Sequence, residues 1–211
     1  MKYYKYFLIS FGVIIIDQVV KLLVHFNMDM GVGGQIPILG DFFKLHYLTN
    51  EGMAFGLKLG SEYGKLLLTL FRLVAMVGIA YYLHTLIVKK MHSGLLISIA
   101  MILGGAIGNV IDSTFYGVFL EGNVPHNAPT PWFYGKVVDM FYIDIWEGRL
   151  PDFLPFVGGK GVSLWPVFNV ADASIFCGVF AILIFQKTFF KEPAQDEVET
   201  GQVETSEVAE V

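Results

Sequence analysis

Four long apolar runs constrain this chain more than any other feature of its sequence. A bilayer core is crossed by about 20 mostly apolar residues in helical conformation. Runs of this kind lie at residues 6–25, 63–87, 95–111 and 170–190, the third being a little short. The chain is 55% hydrophobic and only 16% charged, whereas about a quarter of the residues in soluble domains are charged. The sequence therefore predicts an α-helical membrane protein with four transmembrane helices.

The lysines of the short connections predict how these helices are oriented. Lys and Arg concentrate in cytoplasmic connections. Lysines lie before the first run, between the second and third, and at the end of the fourth, at Lys2, Lys5, Lys89, Lys90, Lys187 and Lys191. We therefore expect both termini to be cytoplasmic. The two long connections, residues 25–62 and 112–166, then lie outside, and Asp112 and Asp172 meet at the same membrane surface.

Two further patterns predict local structure. The stretch "QIPILGDFFKLHYLTN" in the first outer connection alternates apolar and polar residues, which indicates a small extracytoplasmic β element on the membrane surface. Gly104 and Gly108 in the third run have the spacing typical of closely packed transmembrane helices.

The chain is predicted to form one domain with a polar extension. Residues 1–191 contain all four apolar runs, and we expect them to be a single four-helix transmembrane domain. Every charged residue beyond Lys191 is acidic, and the segment contains no aromatic residue. Residues 192–211 are therefore expected to be a disordered acidic tail on the cytoplasmic side.

The polar residues near the outer surface suggest chemistry. Asn109 and Asp112 stand at positions i and i+3 where the third run ends, and Asn169 and Asp172 have the same spacing where the fourth begins. This spacing places an amide and a carboxylate on one helical face. Asp139 lies in the apolar, strand-like stretch "GKVVDMFYIDI" between them. Ionisable groups at membrane depth are functional hypotheses by default.

Structural explanations compete with function for several of these residues. Asp17 and Lys21 lie four residues apart and can neutralise each other on the first helix. Asn50 alone would be a turn or cap residue. Asn169 could be a helix N-cap, with Asp172 favoured by the helix dipole in the first turn. Asp112 is harder to explain this way, because a helix C-terminus disfavours negative charge.

Two neighbouring carboxyl groups can perform acid–base catalysis. Close together, they share one proton, so one can accept a proton from water while the other donates one. The residues alone leave open whether Asp112 or Asp139 partners Asp172.

Other kinds of site find less support in the sequence. The histidines lack metal-ligand spacing, and neither a nucleotide-binding motif nor a basic stripe for nucleic acid is present. Cys177, the only cysteine, is expected to be a small buried hydrophobe. The alternative function is a small protein that translocates protons or ions through intramembrane aspartates.

Five sequence blocks in order, "DQVVK", "NEGMAFG", "GGAIGNVID", "VVDM" and "FNVADASI", resemble lipoprotein signal peptidase, also called signal peptidase II. The resemblance implies a four-helix aspartyl endopeptidase of the bacterial cytoplasmic (inner) membrane, with its active site at the extracytoplasmic face. It would remove signal peptides from prolipoproteins, cleaving before the diacylglyceryl-modified cysteine. By motif, the catalytic pair is Asp139 and Asp172. The matching supporting positions are Asp17, Lys21, Asn50, Gly52, Asn109, Asp112 and Asn169.

The resemblance also carries expectations about partners and about departures from the family pattern. We expect prolipoproteins and membrane lipid as partners, no cofactor, metal or nucleic acid, and a monomer. The family usually has Arg directly after the "GNxxD" pattern, where this chain has Ser113, and "NEGMAF" replaces the commoner "NTGAAF". Residues 115–136 and 144–165 look like inserted loops.

Overall fold

The computed structural model describes residues 4–51, 63–145, 147–149, 159, 161–163 and 166–191. Four helices in this part are long and apolar enough to cross a membrane. They are α1 (Lys5–Asn27), α2 (Gly64–Val88), α3 (Ser93–Ile111) and α4 (Val170–Phe189). The predicted four-helix architecture is therefore confirmed, with boundaries that differ by at most two residues, except at the end of the third span.

The third span is longer than predicted. After α3 the chain continues through a π-helical turn, Asp112–Tyr116, and a last helical turn, Gly117–Phe119. The apolar span therefore runs from Ser93 to Phe119, because no proline interrupts the helix between Ile111 and Phe119. Asp112 consequently lies within a continuous helical segment rather than at its free C-terminal end.

α3 is the central helix and packs against the other three. The glycine spacing predicted close packing, and this is confirmed. A methyl group on Gly104 would lie 2.8 Å from the Ser10 carbonyl oxygen on α1, and one on Gly105 would lie 2.3 Å from the Ala171 carbonyl oxygen on α4. Only glycine allows these backbones to approach so closely.

The outer helices expose the apolar side chains that a membrane protein presents to lipid. Leu8 on α1, Phe71 on α2 and Leu183 on α4 are each more than half exposed. The prediction for Cys177 was wrong: it is exposed. It lies on α4, most of whose surface faces away from the other helices.

A three-stranded antiparallel sheet stands at one end of the helices. It consists of β1 (Ile36–Leu39), β2 (Phe43–Asn50) and β3 (Val137–Ile143), in the order β1-β2-β3. β2 pairs with β3 so that Leu48 lies opposite Asp139. The predicted β element is confirmed, and the strand-like stretch around Asp139 is its third strand. Within the segment that looked like an insertion, β4 (Glu147–Arg149) and β5 (Gly161–Ser163) form a separate antiparallel pair.

Apolar packing and one short backbone pairing join the sheet to the helices. Side chains of α1, the turns after α3 and the strands form a buried cluster, which contains Val24, Tyr47, Tyr116, Leu120, Val138 and Met140. Just before α4, Phe168 exchanges backbone hydrogen bonds with Phe141 of β3, at 2.8 and 3.0 Å. This pairing places the beginning of α4 beside β3.

Two predictions fall on residues outside the described part of the chain. These are Gly52 and the disorder of the acidic segment 192–211. Both remain predictions, as does the single-domain assignment of residues 1–191.

Candidate active site

The structure brings Asp139 and Asp172 to the same place through the contact between β3 and the start of α4. Asp139 lies on β3 and is 2% exposed. Asp172 lies in the first turn of α4 and is partly exposed. The two carboxyl groups are close enough for the charge of Asp172 to act on Asp139.

Asparagine amides connect the two carboxyl groups. Asn169 Nδ2 donates to Asp139 Oδ1 at 2.6 Å and to Asn109 Oδ1 at 3.3 Å. Asn109 Nδ2 in turn donates to Asp172 Oδ1 at 2.8 Å. Asn50 Nδ2 donates to the other oxygen of Asp139. In the described part of the chain, no lysine or arginine forms an ion pair with either carboxyl group.

Asn169 is also the N-cap of α4, as its structural interpretation predicted. Its Oδ1 accepts a hydrogen bond from the Asp172 backbone N–H at 2.8 Å. One side chain therefore begins the helix with its oxygen and binds Asp139 with its nitrogen. The capping interpretation of Asn169 is confirmed, and its functional interpretation stays a prediction.

Burial makes Asp139 a weaker acid than an ordinary aspartic acid. Loss of solvation, followed by the charge of Asp172, raises the pKa of Asp139 to about 8, although the Asn169 hydrogen bond opposes this shift. A carboxyl group with such a pKa keeps its proton at neutral pH and can donate it. The pair can therefore hold one proton between two carboxyl groups.

A second group of charges lies directly behind the pair. Lys21 Nζ is 2.7 Å from Asp17 Oδ2 and 2.7 Å from Asp112 Oδ2, and all three side chains are fully buried. The predicted pairing of Asp17 with Lys21 is thus confirmed, but it is incomplete because Lys21 also binds Asp112. Lys21 further donates to Asn109 Oδ1 at 3.1 Å, which connects this ion cluster to the pair.

The ion cluster also fixes backbone. Asp17 Oδ1 accepts from the Ala171 N–H at 2.8 Å, which attaches the first turn of α4 to α1. Asp112 Oδ2 accepts from the Val138 N–H at 3.3 Å, which attaches β3 to the end of α3. Asp112 therefore supports the strand that carries Asp139. The residues alone left open whether Asp112 or Asp139 is the partner of Asp172, and this geometry favours Asp139.

Sequence reasoning missed Gln18 and Tyr116 in this network. Gln18 Nε2 donates to Asp17 Oδ2 at 3.1 Å and to Asp112 Oδ1 at 3.0 Å. Gln18 Oε1 accepts from the Tyr116 hydroxyl at 3.0 Å. The only available signal was the position of Gln18 inside the "DQVVK" block.

Two cations on α2 were also missed. Lys65 Nζ and Arg72 Nη1 each donate to Ser113 Oγ at 3.3 Å. Ser113 is fully buried beside Asp112. The departure at Ser113 from the family pattern thus falls where two positive side chains converge.

The part of the chain that the structure describes contains no group of three or more His, Cys, Asp or Glu side chains able to hold a metal ion. The acidic side chains that converge instead form ion pairs with Lys21 or accept hydrogen bonds from amides.

Comparisons with known proteins agree with this architecture. The family model described as signal peptidase (SPase) II matches residues 9–189. The chain belongs to this family. It is 47% identical to a lipoprotein signal peptidase of Amoebophilus asiaticus over 99% of this chain and 88% of that protein. A lipoprotein signal peptidase of Porphyromonas gingivalis is 42% identical, over 81% of this chain and 77% of its own length.

A solved structure supports the fold independently. A bacterial membrane enzyme structure obtained by the in meso method has a TM-score of 0.57, covering 89% of this chain and 94% of that chain at 24% identity. Family membership makes the chain a bacterial membrane protease of lipoprotein processing. The alternative of ion translocation is not favoured.

Proposed function

We propose that this member of the signal peptidase II family is an aspartic endopeptidase whose catalytic pair is Asp139 and Asp172. The observation that carries the proposal is the shared set of asparagine amides, which holds two carboxyl groups from different elements together. Among the residues that the structure describes, no cation forms an ion pair with either group. Such a pair can exchange protons, whereas a carboxylate in a salt bridge is held in its ionised form.

The different exposures of the two groups support different roles for them. Asp139 is buried and protonated, so it donates its proton to the oxygen of the scissile carbonyl. Asp172 is more exposed and takes a proton from the attacking water, whose oxygen bonds to the carbonyl carbon. Asp172 then gives that proton to the leaving nitrogen as the C–N bond breaks, and Asp139 regains its own from the collapsing intermediate.

The remaining polar residues position the pair. Asn50, Asn109 and Asn169 orient the carboxyl groups through their amides. Asp17, Lys21 and Asp112 hold the backbones of α4 and β3 in register. Gly52 is assigned a substrate-binding role only on the family resemblance.

The substrate is a prolipoprotein cleaved before its diacylglyceryl-modified cysteine. The signal peptide lies in the bilayer as an apolar helix, so its scissile bond reaches the interface. Most of the apolar surface of the lipid is already buried in the bilayer before the substrate binds. The lipid therefore acts mainly by fixing the depth and register of the peptide bond, a positioning effect that can lower a barrier by several kcal/mol.

We further propose that the chain acts as a monomer in the cytoplasmic membrane, with both termini cytoplasmic and the pair at the extracytoplasmic face. The lysine distribution supports this orientation. Reporter fusions after Lys90 and after Val211 should report a cytoplasmic location. A fusion active only outside the cytoplasm would overturn the orientation.

The decisive experiment is cleavage by the purified protein in detergent micelles. A diacylglyceryl-modified prolipoprotein should be shortened at the bond before the cysteine, and the same protein with unmodified cysteine should be cut far more slowly at saturation. Equal rates would contradict the role of the lipid. Absence of cleavage of the lipidated substrate would contradict the proposed function.

A further inference from the structure

Two cations on α2 converge on the outer end of the third span. Lys65 and Arg72 are seven residues apart, two helical turns, and therefore share a face of α2. Both donate to Ser113 Oγ at 3.3 Å, so their charges lie within about 7 Å of each other. Two like charges in a partly buried site repel unless negative charge lies nearby.

The candidate site supplies that negative charge. Of the four aspartates Asp17, Asp112, Asp139 and Asp172, the described part of the chain gives ion pairs only to Asp17 and Asp112, both with the ammonium of Lys21. Even with one proton shared by the catalytic pair, the negative charges outnumber the positive one. The charge of Lys21 also acts on Asp139, but its direct contacts go to Asp17, Asp112 and Asn109, so one ammonium does not balance all four carboxyl groups.

Of the two cations on α2, Arg72 is the one whose charge interacts with the pair. Its guanidinium interacts electrostatically with Asp172 most strongly, and also with Asp112 and Asp139. Lys65 acts on Asp112 and Glu51 instead, and donates to the Glu51 carbonyl oxygen at 2.9 Å. The two cations are therefore not equivalent.

We propose that Arg72 is the electrostatic partner of the catalytic pair, a positioning residue that stabilises the negative charge the pair carries before water attacks. This inference rests on the proposed function. Ser113 orients the guanidinium through its hydroxyl. Where the family usually has Arg after its "GNxxD" pattern, this chain has Ser113, and the positive charge reaches the same point from α2.

The charge of Arg72 has a specific consequence for pH dependence. Without it, the ionised form of the pair is less stable, so the pair takes up its second proton at a higher pH. Among the described residues, the other ionisable groups of this network are Asp17, Lys21, Tyr47, Glu51, Lys65, Asp112 and Tyr116. The Arg72 variants leave all of these groups unchanged.

The test compares Arg72→Gln, Arg72→Lys and Lys44→Gln with the unmodified protein. Cleavage of diacylglyceryl-modified prolipoprotein is followed from pH 5 to pH 9 in uncharged detergent. Arg72→Gln should move the acidic limb of the profile up by about one pH unit, so that kcat falls by about tenfold on that limb, with KM nearly unchanged. Arg72→Lys keeps the charge and should retain the unmodified profile. Lys44, which pairs with Asp41 and Asp144 on the sheet, is the matched control and should also retain it.

Three results would overturn the inference. An Arg72→Gln profile and kcat equal to those of the unmodified protein would show that the charge does not act on the pair. A loss confined to KM, seen only when anionic lipid is added, would assign Arg72 to a lipid headgroup. A loss of kcat in Arg72→Lys equal to that in Arg72→Gln, with neither profile shifted, would show a purely structural role. If the unmodified protein fails to cleave, the proposed function falls first and this inference with it.

Discussion

The ion cluster and the proposed catalytic pair contain the same kind of acid in opposite settings. In the ion cluster, Asp17 and Asp112 are fully buried and each lies 2.7 Å from the ammonium of Lys21. In the catalytic pair, Asp139 and Asp172 accept hydrogen bonds from asparagine amides instead. The four carboxyl groups lie in one connected network, since Asn109 touches both Lys21 and Asp172.

The difference shows how a protein assigns roles to identical side chains. A salt bridge in a site of low dielectric fixes a carboxylate in its charged form, because protonation would leave the buried ammonium uncompensated. An amide donor orients a carboxyl group but adds no net charge, so the proton can come and go. We therefore expect the ion cluster to be structural, whereas the pair is suited to proton transfer.

Replacing either aspartate of the pair should have the largest effect on the cleavage rate. Asp139→Asn and Asp172→Asn keep side-chain size but cannot exchange the proton. Each should lower the cleavage rate by at least about 100-fold while leaving the protein folded in the membrane. Steady-state cleavage and thermal unfolding in the same micelles check this. Substantial cleavage by either variant would reject the pair as assigned.

Removing the cation of the ion cluster should give the largest effect on stability. Lys21→Met leaves two buried carboxylates without compensation, and should lower the free energy of unfolding by about 3–5 kcal/mol. Denaturant or thermal unfolding in micelles measures the loss. Lys44→Met is the matched control on the sheet, where the loss should be small. Equal losses in both variants would mean that the ion cluster contributes no more than a surface pair.

The sequence predicts the transmembrane spans and part of the ion cluster better than it predicts the pair. The spans follow from apolar runs, and the link between Asp17 and Lys21 follows from a four-residue spacing on one helix. The choice of Asp139 over Asp112 depends on long-range geometry, in which β3 pairs with Phe168 and the chain continues past Ile111 as a π-helical turn. Local patterns do not encode these contacts. The contacts of Gln18 with Asp112 and of Arg72 with Ser113 were missed for the same reason, because these partners are 94 and 41 positions away.

The pH dependence sharpens the comparison further. Burial and the charge of Asp172 raise the pKa of Asp139 to about 8, so the proton donor is present below that pH and lost above it. The cleavage rate should therefore fall as pH rises through about 8, approaching a tenfold loss per pH unit.

The same proton has a consequence for stability. The unfolded chain releases it near pH 4, the ordinary value for Asp, whereas the folded protein holds it until about pH 8. The contribution of this group to stability is thus fully present below pH 4 and is lost progressively between about pH 4 and pH 8. A rate profile from pH 6 to pH 10, with unfolding monitored in parallel, checks both. A rate that stays flat to pH 10 would contradict the assignment of Asp139 as proton donor.

The smallest effect is expected at an ion pair outside both regions. Lys44 Nζ lies 3.3 Å from Asp41 Oδ1, and the Asp41 side chain is fully exposed. Water and salt screen such a pair, and holding two side chains together costs conformational entropy, so its net contribution is close to zero. Asp41→Asn should therefore leave both Tm and the cleavage rate unchanged, in low salt as in high salt. A clear fall in Tm would mean that geometry alone decides the strength of these ion pairs, and the contrast between buried and exposed charges would no longer explain why the ion cluster is structural.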